Sequence, residues 1–155
     1  MATSATEVFD LFTMLVSDYR LDAIYTTSGS AALNTYLEAW LLFATNDFSD
    51  VCNQALTYDS TTQQFSLVLT QENINVLAQV MTMYWAQKLL QDAIQIRNIT
   101  NDHDFKPFSP AANVKEKRDL YNMKREEIKQ LLVDYGYKYN AWTSWRGQDF
   151  IGTVV

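Results

Sequence analysis

The 155-residue chain has one cysteine, one histidine, two prolines and four glycines, and it lacks a run of apolar residues long enough to span a bilayer. Each scarcity excludes something. A single thiol, Cys52, precludes an intrachain disulfide, and a reducing compartment is the simplest expectation. One imidazole and one thiol leave too few ligands for a zinc site, which takes three or four. The longest apolar cluster, Ala39 to Ala44, is far short of the about 20 residues a membrane helix needs. Residues 1–7 carry no basic segment followed by an apolar stretch, so no signal peptide is expected. Few glycines and prolines mean few hard stops, and hence long elements.

Acids outnumber bases, 18 to 12, for a formal charge of −6. A free-standing binder of nucleic-acid backbone usually has the opposite sign. The imbalance is local: residues 1–50 hold seven acids (Glu7, Asp10, Asp18, Asp22, Glu38, Asp47 and Asp50) and one base, Arg20. A solvated acidic face is the plain reading. The sharper one is that one copy's acidic third meets the more basic last third of the next copy, a head-to-tail contact of the kind that closes rings.

Ser4 and Glu7 are spaced as a capping box. Val8, Phe9, Leu11, Phe12, Leu15 and Val16 then recur at helical spacing, predicting a first helix over about 4–17. Residues 18–29 are ambiguous, because Thr26-Thr-Ser-Gly-Ser30 signals a loop. Ser30 can cap a second helix reaching about Ala44. Two β-leaning runs, Asp50 to Tyr58 and Gln63 to Leu69, flank a polar turn and predict a hairpin over about 50–69. An isolated hairpin is marginal in water, so it must pack on helices or on a partner. Tyr58 and Phe65 are its expected contact residues. Thr70 can cap a third helix, to about Asn98, apolar around most of its circumference and therefore central.

Ser109-Pro110 marks the start of a fourth helix, and Gly136 is expected to end it in the left-handed conformation. Val114, Tyr121, Ile128 and Tyr135 are spaced by sevens. The seam is short and is interrupted by Lys117 and Lys124, which favours one docked helix over a dimeric coiled coil. Lys115 to Lys129 mixes bases with four acids, which reads as a solvated face with local ion pairs rather than a nucleic-acid stripe. The expectation is thus a mainly α fold: a bundle of about four helices, residues 1–136, with one inserted hairpin and an extended C-terminal arm, 137–155. That arm concentrates Tyr137, Tyr139, Trp142, Trp145, Arg146 and Phe150. It either folds back over its own helices or binds a partner, since Trp, Tyr and Arg are enriched at binding hot spots.

No catalytic constellation emerges. Asn101-Asp-His-Asp104 reads as a polar loop, lacking further zinc ligands and EF-hand spacing. Cys52 and His103 could form a nucleophilic pair, but Cys52 sits among ordinary polar residues. Ser28-Gly-Ser30 lacks the glycines and lysine of a phosphate loop, and no Gly-x-Ser-x-Gly elbow occurs. Glu126 and Glu127 are adjacent and point about 100° apart on a helix. No enzyme activity, cofactor or metal is expected.

Asn101-Asp-His-Asp-Phe-Lys-Pro-Phe-Ser-Pro-Ala-Ala-Asn-Val-Lys-Glu-Lys-Arg-Asp-Leu120, followed by Lys124-Arg-Glu-Glu-Ile-Lys-Gln-Leu-Leu-Val-Asp-Tyr-Gly-Tyr137, resembles segments of tailed-bacteriophage structural proteins. The likeness covers about residues 70–137 and is to the small helical head–tail connector, or adaptor, proteins of the virion neck. It implies a homo-oligomeric ring bound to the portal protein above and a tail-side neck or tube protein below. DNA would pass through the channel without specific binding, and no membrane would be involved. Localisation would be the virion neck, and the host cytoplasm during assembly. The other class compatible with these residues is a small helical interaction or regulatory module acting as a monomer or dimer.

Overall fold

A computed structural model describes residues 2–100 and 110–141. Four helices and a short hairpin follow one another in the order α1, α2, β1, β2, α3, α4, with a π-helical turn after α4. The fold is mainly helical, as the apolar periodicities predict.

Helix α1 spans Ala5–Leu15. Ser4 caps it, but its hydroxyl accepts from the Thr6 N–H at 3.3 Å, while the Glu7 N–H turns to the Ser4 carbonyl at 3.2 Å. The start is therefore a simple N-cap rather than the expected reciprocal box. Helix α2 spans Tyr19–Ser49 and begins where the sequence was ambiguous. The Asp18 carboxylate caps it by accepting from the Arg20 N–H at 2.9 Å. The Thr26 hydroxyl donates to the Asp22 carbonyl at 2.8 Å, a back-bond that lets threonine stay helical. The Thr-Ser-Gly run interrupts the helical winding at Gly29, whose φ of 82° and ψ of 175° only glycine adopts readily. The segment after Ser30 is therefore a second helical stretch as expected, joined across a kink to residues 19–28, which are helical too. Beyond Ala44 the helix continues to Ser49, because Leu37, Leu41, Ala44 and Phe48 form one buried row.

The hairpin is shorter than the two β-leaning runs. Strands β1 (Tyr58–Asp59) and β2 (Gln64–Phe65) pair antiparallel, Tyr58 opposite Phe65. Asp59 organises the turn, accepting from the Thr61 N–H and the Thr62 hydroxyl, each at 2.9 Å. The first residues of the chain line the exposed edge: the Phe65 N–H donates to the Thr3 carbonyl at 2.9 Å, and the Thr3 hydroxyl accepts from the Leu69 N–H at 2.8 Å. The pairing that a two-residue ladder cannot sustain alone thus comes from within the chain.

Helix α3 (Gln71–Thr100) starts at Thr70, whose hydroxyl accepts from the Asn73 N–H at 3.3 Å. It is central: α1, α2 and α4 all pack against it. Its Ile74, Leu77, Ala78, Val80 and Met81 join Phe12, Leu37, Leu41, Phe48 and Phe65 in one core. Helix α4 (Pro110–Gly136) docks along α3 through the row spaced by sevens, with Val114, Ile128 and Tyr135 buried and Tyr121 half-buried. Gly136 does not end it in a left-handed turn. The chain stays helical there and widens into the π turn Tyr137–Ala141. Gly136 lies over Val51, and a methyl group added to it would meet the Val51 side chain at an ordinary 3.7 Å.

Candidate functional site

The end of α4 is where the sequence concentrates its aromatics, and a buried polar network holds it in place. The Tyr135 ring lies edge-on to Phe48 at 4.8 Å and against Tyr139 at 4.6 Å. Its hydroxyl sits 2.6 Å from the side-chain oxygens of both Asn53 and Asn73, and accepts from the Asn53 N–H at 3.3 Å. Asn73 donates in turn to Asn53 (3.1 Å) and to Gln54 (2.7 Å), and Gln54 accepts from the Thr70 N–H at 2.9 Å. One set of amides therefore ties α4, the segment after α2 and the start of α3 together. Burial pushes the Tyr135 hydroxyl up to about 12, so it stays a donor at neutral pH. Cys52 lies beside it, Sγ 3.9 Å from the hydroxyl, and burial raises this thiol too, which disfavours the reactive thiolate.

The π turn is pinned to the first turn of α3. Lys138 Nζ meets both oxygens of Glu72, at 2.8 and 2.9 Å, and the Tyr139 hydroxyl donates to the same carboxylate. These bonds from Lys138 and Tyr139 hold the Glu72 carboxyl below its ordinary range. Among the residues expected to bind a partner, Tyr139 is thus half-buried against its own chain, and Tyr137 is 68% exposed. Trp142, Trp145, Arg146 and Phe150 lie outside the described residues, as do His103 and its acidic neighbours.

The hairpin pair corrects differently. Phe65 is wholly buried and packs on Tyr58 at 5.2 Å, so it anchors the hairpin to the helices and presents nothing to a partner. Tyr58 is half-buried and reaches Glu38 at 3.2 Å, where burial and that carboxylate push its pKa well above the ordinary tyrosine value. Other acids of the first third are similarly engaged. Asp47 accepts from the Tyr84 hydroxyl, and Asp18 accepts from Trp85 Nε1 at 2.9 Å. Much of the local negative charge therefore serves as acceptors for the polar tips of half-buried aromatics.

A feature not apparent in the sequence is a cleft of about 860 Å³ between α1 and the first half of α2. Its floor includes the buried Phe9, Leu21 and Leu37, and its rim carries Asp10, Asp22, Tyr19 and Tyr25. Tyr19 is 78% exposed, and Met14, at the nearby end of α1, is 82% exposed.

Among the described residues no group of three or more His, Cys, Asp or Glu side chains is placed to hold a metal, and no helix is long and apolar enough to cross a membrane. No protein family, curated protein or solved structure matches the chain.

Proposed function

We propose that the protein is a structural assembly subunit: a helical adaptor that forms a ring in a bacteriophage neck, joining the portal to the tail and continuing the DNA channel. The observation that carries the assembly part is the run of exposed large apolar side chains where α1 meets α2, namely Met14, Leu15, Tyr19 and Tyr25. Exposed apolar surface of this kind, rimmed by polar groups, marks protein–protein contact. The neck assignment adds the resemblance of residues 70–137 to adaptor proteins. A body held rigid by one core, with aromatics at two separate ends, suits a subunit that must touch several neighbours at once. The role asks for no catalytic group, and DNA sliding through a channel is helped by a wall that does not grip phosphate.

The test is recovery of the tagged protein from infected cells, with mass spectrometry and negative-stain imaging of what accompanies it. Portal and tail-tube proteins in ring-shaped particles are the expected result. Recovery of the protein alone, or with host proteins only, would refute the neck reading and favour a helical interaction module.

A further inference from the structure

We propose that the α1–α2 cleft receives the Lys115–Arg118–Arg125 stripe of α4 from a second copy of this chain, in a head-to-tail contact. The inference deepens the assembly reading and rests on it.

The cleft's chemistry selects a cationic occupant. Asp10 and Asp22 stand exposed on its rim, no bond engages either carboxylate among the described residues, and no basic side chain lines the cleft. The nearest base in sequence, Arg20, is engaged within the chain, by Asp92 at 2.5 Å and by the Tyr19 hydroxyl. Tyr19 and Tyr25 add two exposed ring faces. Free carboxylates beside exposed aromatic rings suit guanidinium above all, which can donate two parallel hydrogen bonds to a carboxylate and stack on a ring.

The matching surface is on α4. Lys115, Arg118 and Arg125 follow at helical spacing of three and seven, so they share one face, extending about 15 Å along the axis. All three are exposed, and none forms an ion pair among the described residues. Their neighbours are engaged: Lys124 pairs with Glu127 at 2.9 Å, and Lys129 with Glu126 at 3.0 Å. Arg125 also borders a small cleft that contains Asp47 and Asp50, without bonding to either. Helices α1 and α4 each pack on α3 and make little contact with one another. A single chain therefore cannot lay its own stripe in its own cleft. Two different surfaces that complement each other only between copies make a heterologous contact, which propagates into a ring or a filament.

Two full-length charge-swap variants test this: Asp10→Lys with Asp22→Lys, and Lys115→Glu with Arg118→Glu. Sedimentation velocity at high protein concentration and low ionic strength should show wild-type self-association that weakens as salt is added. Each swap alone should associate at least about tenfold more weakly, because attraction becomes repulsion at two positions. An equimolar mixture of the two should regain wild-type association, since every cleft then faces a stripe of opposite sign. Should either swap misfold by circular dichroism, the neutral pair Asp10→Asn with Asp22→Asn, and Lys115→Gln with Arg118→Gln, takes its place, each expected to weaken association.

A swap that associates like wild type, a mixture that fails to recover, or a wild type that stays monomeric throughout would overturn the proposal. So would loss of association in Trp142→Ala with Trp145→Ala while the swaps associate normally, because the contact would then belong to the C-terminal residues. Intact neck rings recovered from infected cells expressing a swap variant would overturn this contact while leaving the ring reading in place. Absence of rings with the wild-type protein would overturn the ring reading instead.

Discussion

Replacing Tyr135 with phenylalanine removes a single oxygen, and the geometry says where the loss falls. The phenol has one proton and two amide oxygens at 2.6 Å. Asn53 Oδ1 already accepts from Asn73 Nδ2 at 3.1 Å, so the proton belongs to Asn73 Oδ1, which no other donor among the described residues reaches. Asn73 is wholly buried, whereas Asn53 is exposed and its N–H can turn to water. The variant therefore orphans one buried amide oxygen, at a cost of about 1–3 kcal/mol. The ring contacts to Phe48 and Tyr139 remain, so no cavity contribution is added. With a urea slope of about 2 kcal/mol per molar, the midpoint should fall by about 1 M with the slope unchanged. Asn73→Ala should be worse alone, because it also cuts the bond to Gln54 at 2.7 Å. The two changes together should cost less than their sum, since each removes one end of the same bond. A loss below about 0.5 kcal/mol in Tyr135→Phe, or strict additivity with Asn73→Ala, would refute the reasoning: the amide would have to find water or turn to another partner.

Three further outcomes follow from the same structure. Phe65→Ala should cost about 3–5 kcal/mol in chemical denaturation, whereas Tyr58→Phe should cost less than about 1 kcal/mol; the reverse order would restore the hairpin as a partner surface. Gly29→Ala should destabilise by about 1–3 kcal/mol in thermal melts, because alanine resists a φ of 82°; a gain in stability, the usual result of Gly→Ala inside a helix, would mean that α2 runs straight. Tyr135 ionises at 10.0 in an ordinary setting and is pushed up to about 12 in the fold, so its contribution is present in full below pH 10 and is lost as the pH rises toward 12. Tyr58 and Tyr84 are raised as well, so phenolate absorbance should show these three of the nine tyrosines titrating late, in step with unfolding.

The helices were legible where an apolar period ran against a clear cap. Thr70 caps α3, and α4 starts at Pro110 where the proline signal placed it, with Ser109 outside the described residues. The sevens of Val114, Tyr121, Ile128 and Tyr135 correctly located the face of α4 that meets the core. Boundaries failed where tertiary contact outweighed a local signal. Gly136 invites a left-handed stop, yet its neighbours Tyr135 and Tyr139 are held against Phe48 and Glu72, and continued helical winding is what brings both there. The Thr-Ser-Gly run does break the winding at Gly29, yet the ambiguous residues before it are helical, because Asp18 caps them and the Thr26 hydroxyl bonds within the turn. Whether Phe65 met the helices or a partner stayed open in the sequence because alternation shows two faces without showing what covers each. The cleft had no local signature at all, because it exists only between two helices.

The acidic first third shows why a charge count does not specify a surface. Seven carboxylates fall in residues 1–50, and a uniform acidic wall would need them all free. Asp18, Glu38 and Asp47 instead accept from Trp85, Tyr58 and Tyr84, where each satisfies a polar tip that the core would otherwise strand. Removing one of these acids would change packing as well as net charge, so a variant that neutralises all seven could not report on electrostatics alone. Asp10 and Asp22 carry no such duty. Charge can be altered at both with the core left intact, and both rim the cleft, which Asp18 also lines while it bonds to Trp85. The asymmetry between the first and last thirds of the sequence thus narrows, in the folded chain, to one cleft and one helical stripe. Association through them should respond to charge at those five positions far more than to the protein's total charge.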